Sequence, residues 1–244
     1  MFVLAVALSL GIVSCEIDAE EKWMPAEEIY DTDFIRIPDA NFAAYCLTRF
    51  DSNKDGMLTR REVASVTDVE VVNLNIKSLQ GIEYFTSLVS LDCSYNYITA
   101  LDLSNNTELK YLNCLSNRLT SLDLSHNAEL TYLHCCYNRL EQLDLSHNPN
   151  MQEVICSDNR IESLDLSQNG VLIKLECQSN LLTTLDVSHT RLGGSHYSSP
   201  LSCAQMETLE TLCVKTGWHI RGVTEGDGRS ALYIPEQTRI VFVD

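Results

Sequence analysis

The stretch that decides the fold is LKYLNCLSNRLTSLDLSHNAE, residues 109–129. It superimposes without a gap on the block of 21 residues before it and on three blocks after it, so one register holds from residue 88 to residue 192. One column of this alignment holds Leu91, Leu112, Leu133, Val154 and Leu175, a second holds Cys93, Cys114, Cys135, Cys156 and Cys177, and a third holds Asn96, Asn117, Asn138, Asn159 and Asn180. Such a fixed short period is typical of a solenoid, in which each repeat forms one coil.

These columns predict how the coils stack. Residues one block apart in sequence lie on neighbouring coils, roughly 4.8 Å apart where the coils pair as strands. The leucine columns then form apolar ribs that no single coil buries alone. Each asparagine falls where the chain leaves a strand, and its amide can satisfy backbone groups that the turn leaves unpaired. Because the leucine phrase recurs nearly twice in each block, we expect two short strands per coil, on opposite flanks, and little helix.

The pattern resembles the short, nested leucine-rich repeats of bacteria over residues 88–192, with a degenerate repeat at 66–87. The resemblance implies an α/β leucine-rich-repeat solenoid that is mostly β, with a small helical N-terminal cap and a β C-terminal cap. We expect five segments: a signal peptide at 1–14, an acidic tether at 15–33, the helical cap at 34–66, the solenoid at 67–192 and the C-terminal cap at 193–244.

The N-terminal residues 1–14 carry no charge and are largely apolar, which is typical of the core of an export signal. The run ends in Ile12-Val13-Ser14-Cys15, which resembles the lipobox of bacterial lipoproteins. The acidic segment after it resembles that of surface-exported lipoproteins of the Bacteroidetes. The resemblance implies export and a lipid anchor on Cys15 in the outer membrane, with the chain exposed at the cell surface. The alternative is an ordinary thiol in a cleaved peptide, and the usual Lys or Arg before the apolar run is missing.

Residues 51–62, DSNKDGMLTRRE, match the twelve-residue EF-hand loop. Gly56 permits its sharp turn, and apolar residues at helical spacing predict a helix over 38–50 and a short helix over 59–66. A single loop lacks the second loop of calcium sensors, so we expect a structural Ca²⁺ site; the alternative is an acidic surface turn without metal. The expected ligands are Asp51, Asn53, Asp55, Met57 through its carbonyl, Thr59 and Glu62.

Outward residues of the first strand vary from coil to coil while the ribs do not, as a recognition surface requires. The predicted ligand-binding face consists of Tyr111, Asn113, Leu115, Tyr132 and His134, because tyrosine offers contact area at low entropy cost. We expect a monomer that binds a protein or glycan ligand, for which a host is one source. The alternative is a scaffold for partners in the envelope of its own cell.

Composition and motifs exclude other classes of function. The net charge is −17, with 34 acidic and 17 basic residues, so the chain repels nucleic acid and anionic lipid, and we expect membrane contact through the lipid anchor only. No Ser-His-Asp arrangement, phosphate loop or paired-carboxylate cleft emerges from the sequence, so we expect no enzyme.

Two further columns of the repeat consist of cysteine and of aspartate. Stacked cysteines point the same way, which suits packing thiols rather than disulfides; Cys136 is expected to face outward, and Cys203 with Cys213 is the one pair considered for a disulfide. The aspartate column is expected to be a solvated acidic stripe; the alternative is that its like charges recruit cations or raise one another's pKa. Its members are Asp102, Asp123, Asp144, Asp165 and Asp186.

Overall fold

A computed structural model describes residues 33–192, 201–203, 206–215 and 238–243. All of them belong to one compact unit, Asp33–Asp244. The predicted signal peptide, the anchor at Cys15 and the tether as far as residue 32 lie outside the described residues. Within the described ranges, no helix is long and apolar enough to cross a membrane.

Two short helices precede the first coil. Helix α1 spans Ala40–Phe50, two residues later than the predicted start, because Asp39 caps it by accepting hydrogen bonds from the N–H groups of the first turn. Helix α2 spans Arg60–Val63 and starts with a capping box between Thr59 and Glu62.

The α1 helix packs on the start of the solenoid through aromatic residues. The rings of Phe42 and Phe85 lie 6.4 Å apart, and Phe50 meets Phe85 edge-on at 5.5 Å. Gly81, at φ +109°, precedes a 3₁₀ turn at Ile82–Tyr84. A Cβ at Gly81 would lie 2.8 Å from Ile37 Cγ1, so only glycine fits between the N-terminal segment and the first coil.

The main sheet is parallel and follows the repeat. Its strands are β1 (Asp68–Glu70), β2 (Ser90–Asp92), β3 (Tyr111–Asn113), β4 (Tyr132–His134), β5 (Glu153–Ile155), β6 (Lys174–Glu176) and β8 (Leu201–Ser202), in that spatial order. The central residue of each strand from β2 to β5 pairs with the residue one block on, as Leu91 does with Leu112 and Leu112 with Leu133, up to Leu175 on β6. These residues are fully buried, so the predicted apolar rib is confirmed.

The prediction of a second strand in every coil was wrong. On the opposite flank only β7 (Thr184–Asp186) is a strand among residues 88–192, and it joins a parallel sheet with β9 (Thr211–Lys215) and β10 (Arg239–Val243). In earlier coils an asparagine side chain connects the coils instead: Asn127 Nδ2 donates to Leu103 O at 3.0 Å and Asn106 O at 2.9 Å. The flank is therefore held by side-chain amides rather than by a backbone ladder.

Strands from the C-terminal segment extend both sheets. Strand β8 pairs with β6 through Leu175 and Leu201, an interval longer than the block that separates the earlier strands. The described part of the predicted C-terminal cap thus adds a strand to the main sheet and two strands to the second sheet.

The cysteine column is a buried rib of thiols. Its five members, Cys93, Cys114, Cys135, Cys156 and Cys177, are free thiols and fully buried. Burial raises the pKa of Cys114 to about 12, so the thiol stays protonated. Cys136 lies outside the core cluster, as expected of an outward side chain, but it is only 4% exposed. The pair considered for a disulfide does not form one, because Cys213 is a free thiol on β9, in a different sheet from the buried Cys203 that follows β8.

Candidate functional site

The main sheet positions the candidate ligand-binding face, hereafter the strand face. In each three-residue strand the central side chain points into the core and its two neighbours point outward. Because the strands are in register, the outward residues form two columns about 4.8 Å apart from coil to coil. One column runs Ser90, Tyr111, Tyr132, Glu153 and Lys174, and the other runs Asp92, Asn113, His134, Ile155 and Glu176.

Two stacked tyrosines lie in the first column. Tyr111 and Tyr132 pair across β3 and β4, with ring centroids 4.5 Å apart and ring planes within 6° of parallel. Partial burial raises the pKa of both phenols, that of Tyr132 to about 12, with the neighbouring Tyr111 and Glu153 adding to the effect. Both phenols therefore remain protonated at neutral pH and can donate hydrogen bonds to a ligand.

Hydrogen bonds within the second column hold its side chains in place. Asn113 is 8% exposed, and its Nδ2 donates to Asp92 Oδ2 at 2.8 Å while its Oδ1 accepts from Leu115 N. Asp92 Oδ1 accepts in turn from the hydroxyl of Ser94 at 2.6 Å. Asn113 therefore holds the face in shape and offers little surface to a ligand.

His134 supplies a neutral ring beside the tyrosines. It is partly buried, and desolvation lowers its pKa even though the carboxylate of Glu176 acts in the opposite direction. Glu176 is itself engaged by Lys174 in an ion pair of 2.8 Å. The five predicted residues thus share one face: Tyr111, Leu115, Tyr132 and His134 are partly exposed, and Asn113 is buried.

The predicted calcium loop is ordered by its own carboxylates. Asp51 accepts from Lys54 N and Gly56 N, Asn53 Oδ1 accepts from Asp55 N, and Asp55 Oδ1 accepts from Met57 N, at 2.7–2.9 Å. Gly56 has φ +83°, and no atom lies within 4 Å of the place where a Cβ would be, so glycine is required there for its conformation rather than for space.

Glu62 closes the loop. Its carboxylate accepts hydrogen bonds from the N–H and hydroxyl groups of Ser52 and Thr59 at 2.9–3.0 Å. These bonds, that from Thr59 N first, lower the pKa of Glu62 to about 2. Among the described residues, no three His, Cys, Asp or Glu side chains are grouped so that they could hold a metal ion. The donor set consists of the oxygens that calcium prefers, but the carboxylates are turned toward the loop's own N–H groups.

The aspartate column is exposed to solvent, as expected of an acidic stripe. The pKa of Asp102, Asp123, Asp144 and Asp165 is lowered by hydrogen bonds from the serine two residues on, although a neighbouring aspartate acts in the opposite direction on Asp102, Asp144 and Asp165. The Ser125 N to Asp123 Oδ1 bond, for example, is 2.9 Å. A local donor thus outweighs the repulsion from the neighbouring coil.

Comparison with known proteins identifies the architecture. No protein-family profile matches the chain. Over 70 residues, 29% of this chain but 8% of the relative, the sequence is 40% identical to internalin J of Listeria monocytogenes, so the match spans a small part of that protein. A solved internalin from that species, InlF, aligns with 73% of this chain and 63% of its own at 22% identity and a TM-score of 0.58. The chain therefore has an internalin-like leucine-rich-repeat fold.

A further solved structure is the functional domain of InlJ, also from Listeria monocytogenes, which is described as including a cysteine ladder. It aligns with 73% of this chain and 55% of that chain at 28% identity and a TM-score of 0.34. In this leucine-rich-repeat chain, the cysteine rib is established by the burial and stacking of its own five thiols.

Sequence reasoning overlooked one edge of the leucine-rich-repeat solenoid. At the turns that follow the main-sheet strands, three consecutive coils place an exposed arginine directly after the recurring asparagine: Arg118, Arg139 and Arg160. The pattern is visible in the sequence, because the three arginines lie one block apart and follow Asn117, Asn138 and Asn159. Only strand positions were considered for a ligand-binding surface, so this arginine column was not predicted.

Proposed function

We propose that this chain is a non-catalytic, exported binding protein that recognises a protein or glycan ligand through its strand face. The observation that carries the proposal is the Tyr111–Tyr132 stack, with its rings 4.5 Å apart near the middle of the main sheet. A solenoid also favours binding over catalysis, because it presents a broad face rather than a deep pocket.

The chemistry of the face suits recognition. The two rings form one amphipathic platform: their faces and edges supply apolar contact area, and their protonated hydroxyls supply donors. Because the rings already stack, little conformational entropy remains to be lost on binding. The neutral His134 in the neighbouring column and the Lys174–Glu176 pair two strands beyond Tyr132 add polar contacts at the rim.

The test is a binding screen of the purified chain against host extracellular proteins and a glycan array. A hit should be lost in Tyr111→Ala/Tyr132→Ala and kept in Tyr95→Ala/Tyr137→Ala, a matched pair of exposed tyrosines off the strand face. A ligand that ignores the first variant and is lost in the second would place recognition elsewhere. No hit in either panel, together with capture of the cell's own envelope proteins, would support a scaffold instead.

The anchor is part of the same proposal. Cys15 and the apolar run before it support attachment of the chain to the outer membrane by a lipid on the cysteine. Expression in a cell fed radiolabelled palmitate should label the wild-type chain and leave Cys15→Ser unlabelled. Protease treatment of intact cells then distinguishes a surface protein, which is cleaved, from a periplasmic one.

We also propose that the loop at residues 51–62 holds a structural calcium ion. Asp51, Asp55 and Glu62 would supply carboxylate oxygens, Asn53 and Thr59 neutral side-chain oxygens, and Met57 its carbonyl. The position of Glu62 supports this assignment, because its carboxylate closes the loop by accepting hydrogen bonds from both Ser52 and Thr59. The loop connects α1 to α2, so a bound ion would fix the helical cap against the first coil.

A further inference from the structure

The turn edge of the solenoid carries a row of positive charge on an acidic protein. We define the arginine edge as the column Tyr97, Arg118, Arg139, Arg160 and Leu181, together with the exposed Tyr95 and Tyr137 beside it. We propose that the arginine edge is a second docking surface, separate from the strand face, for a short acidic segment of a partner protein.

The backbone sets the spacing of the three arginines. The N–H groups of Arg118, Arg139 and Arg160 each donate to the preceding coil, to Ile98 O, Leu119 O and Leu140 O at 2.8–2.9 Å. Their Cα atoms therefore repeat at about one inter-strand spacing, ~4.8 Å. Three like charges on neighbouring coils repel one another, and an anion bound along the row would reduce that repulsion.

No acidic side chain in the described part of the chain neutralises this row. Glu141 and Glu162 lie two residues after Arg139 and Arg160, yet neither forms an ion pair with them; Lys174–Glu176 is the ion pair found among the described residues. The contact that the row does make is aromatic, since the Arg118 guanidinium lies 4.6 Å from the centre of the Tyr97 ring. The guanidinium groups are thus available to an external carboxylate.

Exposed apolar surface is concentrated at the same edge. Across residues 88–192 every exposed large hydrophobic side chain lies in these turn columns, and Tyr95 and Tyr137 are 54% and 61% exposed. Both adopt left-handed backbone, with φ of 57° and 53°, which holds their rings outside the coil. Tyrosine and arginine together are the residue types that dominate the energetics of protein interfaces.

The limits of the row favour a short acidic peptide over a long polyanion. The charge covers three coils, roughly 10 Å between the first and last arginine, and it ends at Tyr97 on one side and Leu181 on the other. A long sulfated glycan would extend beyond the row onto a chain of net charge −17. A segment with two or three carboxylates between apolar residues fits the arginine edge. Its carboxylates would pair with the guanidinium groups, and its apolar residues would contact Tyr97 and Leu181 at the two ends.

The test uses the purified chain on an array of peptides that carry two or three Asp or Glu residues flanked by Leu or Phe. Each peptide is paired with its Asn/Gln counterpart, and heparin-derived oligosaccharides are spotted alongside. The variant Arg139→Gln/Arg160→Gln is compared with Lys110→Gln/Arg191→Gln, which removes two positive charges from exposed sites in a groove away from this edge. Circular dichroism melts confirm that both variants fold.

We expect the chain to prefer acidic peptides over their amide counterparts, with binding that weakens as salt rises. Arg139→Gln/Arg160→Gln should weaken that binding roughly tenfold, because two exposed charge pairs are lost, and the control should bind as wild type. Equal loss in both variants would mean non-specific attraction and overturn the proposal. So would binding to heparin oligosaccharides alone, or the absence of any preference for acidic peptides.

Discussion

Two asparagines of the same coil should contribute unequally to stability. The side chain of Asn117 is both a donor and an acceptor: its Nδ2 donates to Cys93 O at 3.0 Å, and its Oδ1 accepts from the buried Ile98 N at 3.0 Å. Asn127 also donates to the preceding coil, but its buried Oδ1 has no hydrogen-bond partner among the described residues. Replacing either with alanine removes the same atoms, so the two cavities are comparable and the hydrogen bonds decide the difference.

The magnitude follows from what each substitution leaves unpaired. Asn117→Ala strands the Ile98 N–H in the core, which costs about 1–3 kcal/mol, and removes bonds each worth ~1 kcal/mol, so we expect a loss of ~3 kcal/mol in the free energy of unfolding. In Asn127→Ala the carbonyls of Leu103 and Asn106 keep their backbone donors, at 2.9 and 3.2 Å. An unpaired acceptor also disappears, so we expect a loss of ~1 kcal/mol.

Urea unfolding followed by far-ultraviolet circular dichroism measures both values, and the difference between the two midpoints is the quantity of interest. Hydrogen exchange adds a local check, because the Ile98 amide should exchange faster in Asn117→Ala than in Asn127→Ala. If Asn127→Ala proves as destabilising as Asn117→Ala, the reasoning from the unpaired oxygen is wrong.

Three further predictions concern the cap and the thiols. Calcium should raise the melting temperature of the chain, and Asp51→Ala should abolish the increase; a melting curve indifferent to both calcium and chelator would exclude the ion. Glu62 has a folded pKa of about 2, below its ordinary 4.5, so its stabilisation is present above pH 4.5 and is lost as pH falls toward 2; the difference in melting temperature between wild type and Glu62→Gln should shrink over that window. Among the described cysteines, Cys213, which is partly exposed, should react with iodoacetamide first in the native protein, and labelling of the buried column before unfolding would contradict the packing role. The protected column comprises Cys93, Cys114, Cys135, Cys156 and Cys177.

The repeat period accounts for the part of the fold that the sequence predicts well. Leu112 and Leu133 are one block apart, and the same interval sets their pairing in the sheet. The asparagine column was expected to satisfy backbone groups that the turn leaves unpaired, and in the structure Asn117 bonds to such groups of the coil before it, at Cys93 O and Ile98 N. The register of the main sheet can be predicted in this way, because it follows the block length.

Structural features that do not follow the block length were not predicted. The strand at Leu201 joins the sheet at more than one block beyond its partner Leu175, so a search at fixed period places it outside the solenoid. The second flank has leucines at strand-like spacing, yet neighbouring coils are connected there by asparagine side chains such as Asn127 rather than by backbone pairing. Alternating leucines predict which side of the chain is buried, but not whether that segment pairs as a strand.

Two columns of like charge show why the period alone cannot identify a binding surface. The aspartates and the arginines both recur once per block, so their neighbours repel at the same spacing of ~4.8 Å. Each of Asp102, Asp123, Asp144 and Asp165 has its own serine donor two residues on, which lowers its pKa and offsets the repulsion. The arginines have no equivalent acceptor within the described chain. An anionic partner would therefore gain more binding free energy at the arginine edge than a cation would gain at the aspartate column. The difference between the two columns follows from contacts within each turn, not from the repeat period.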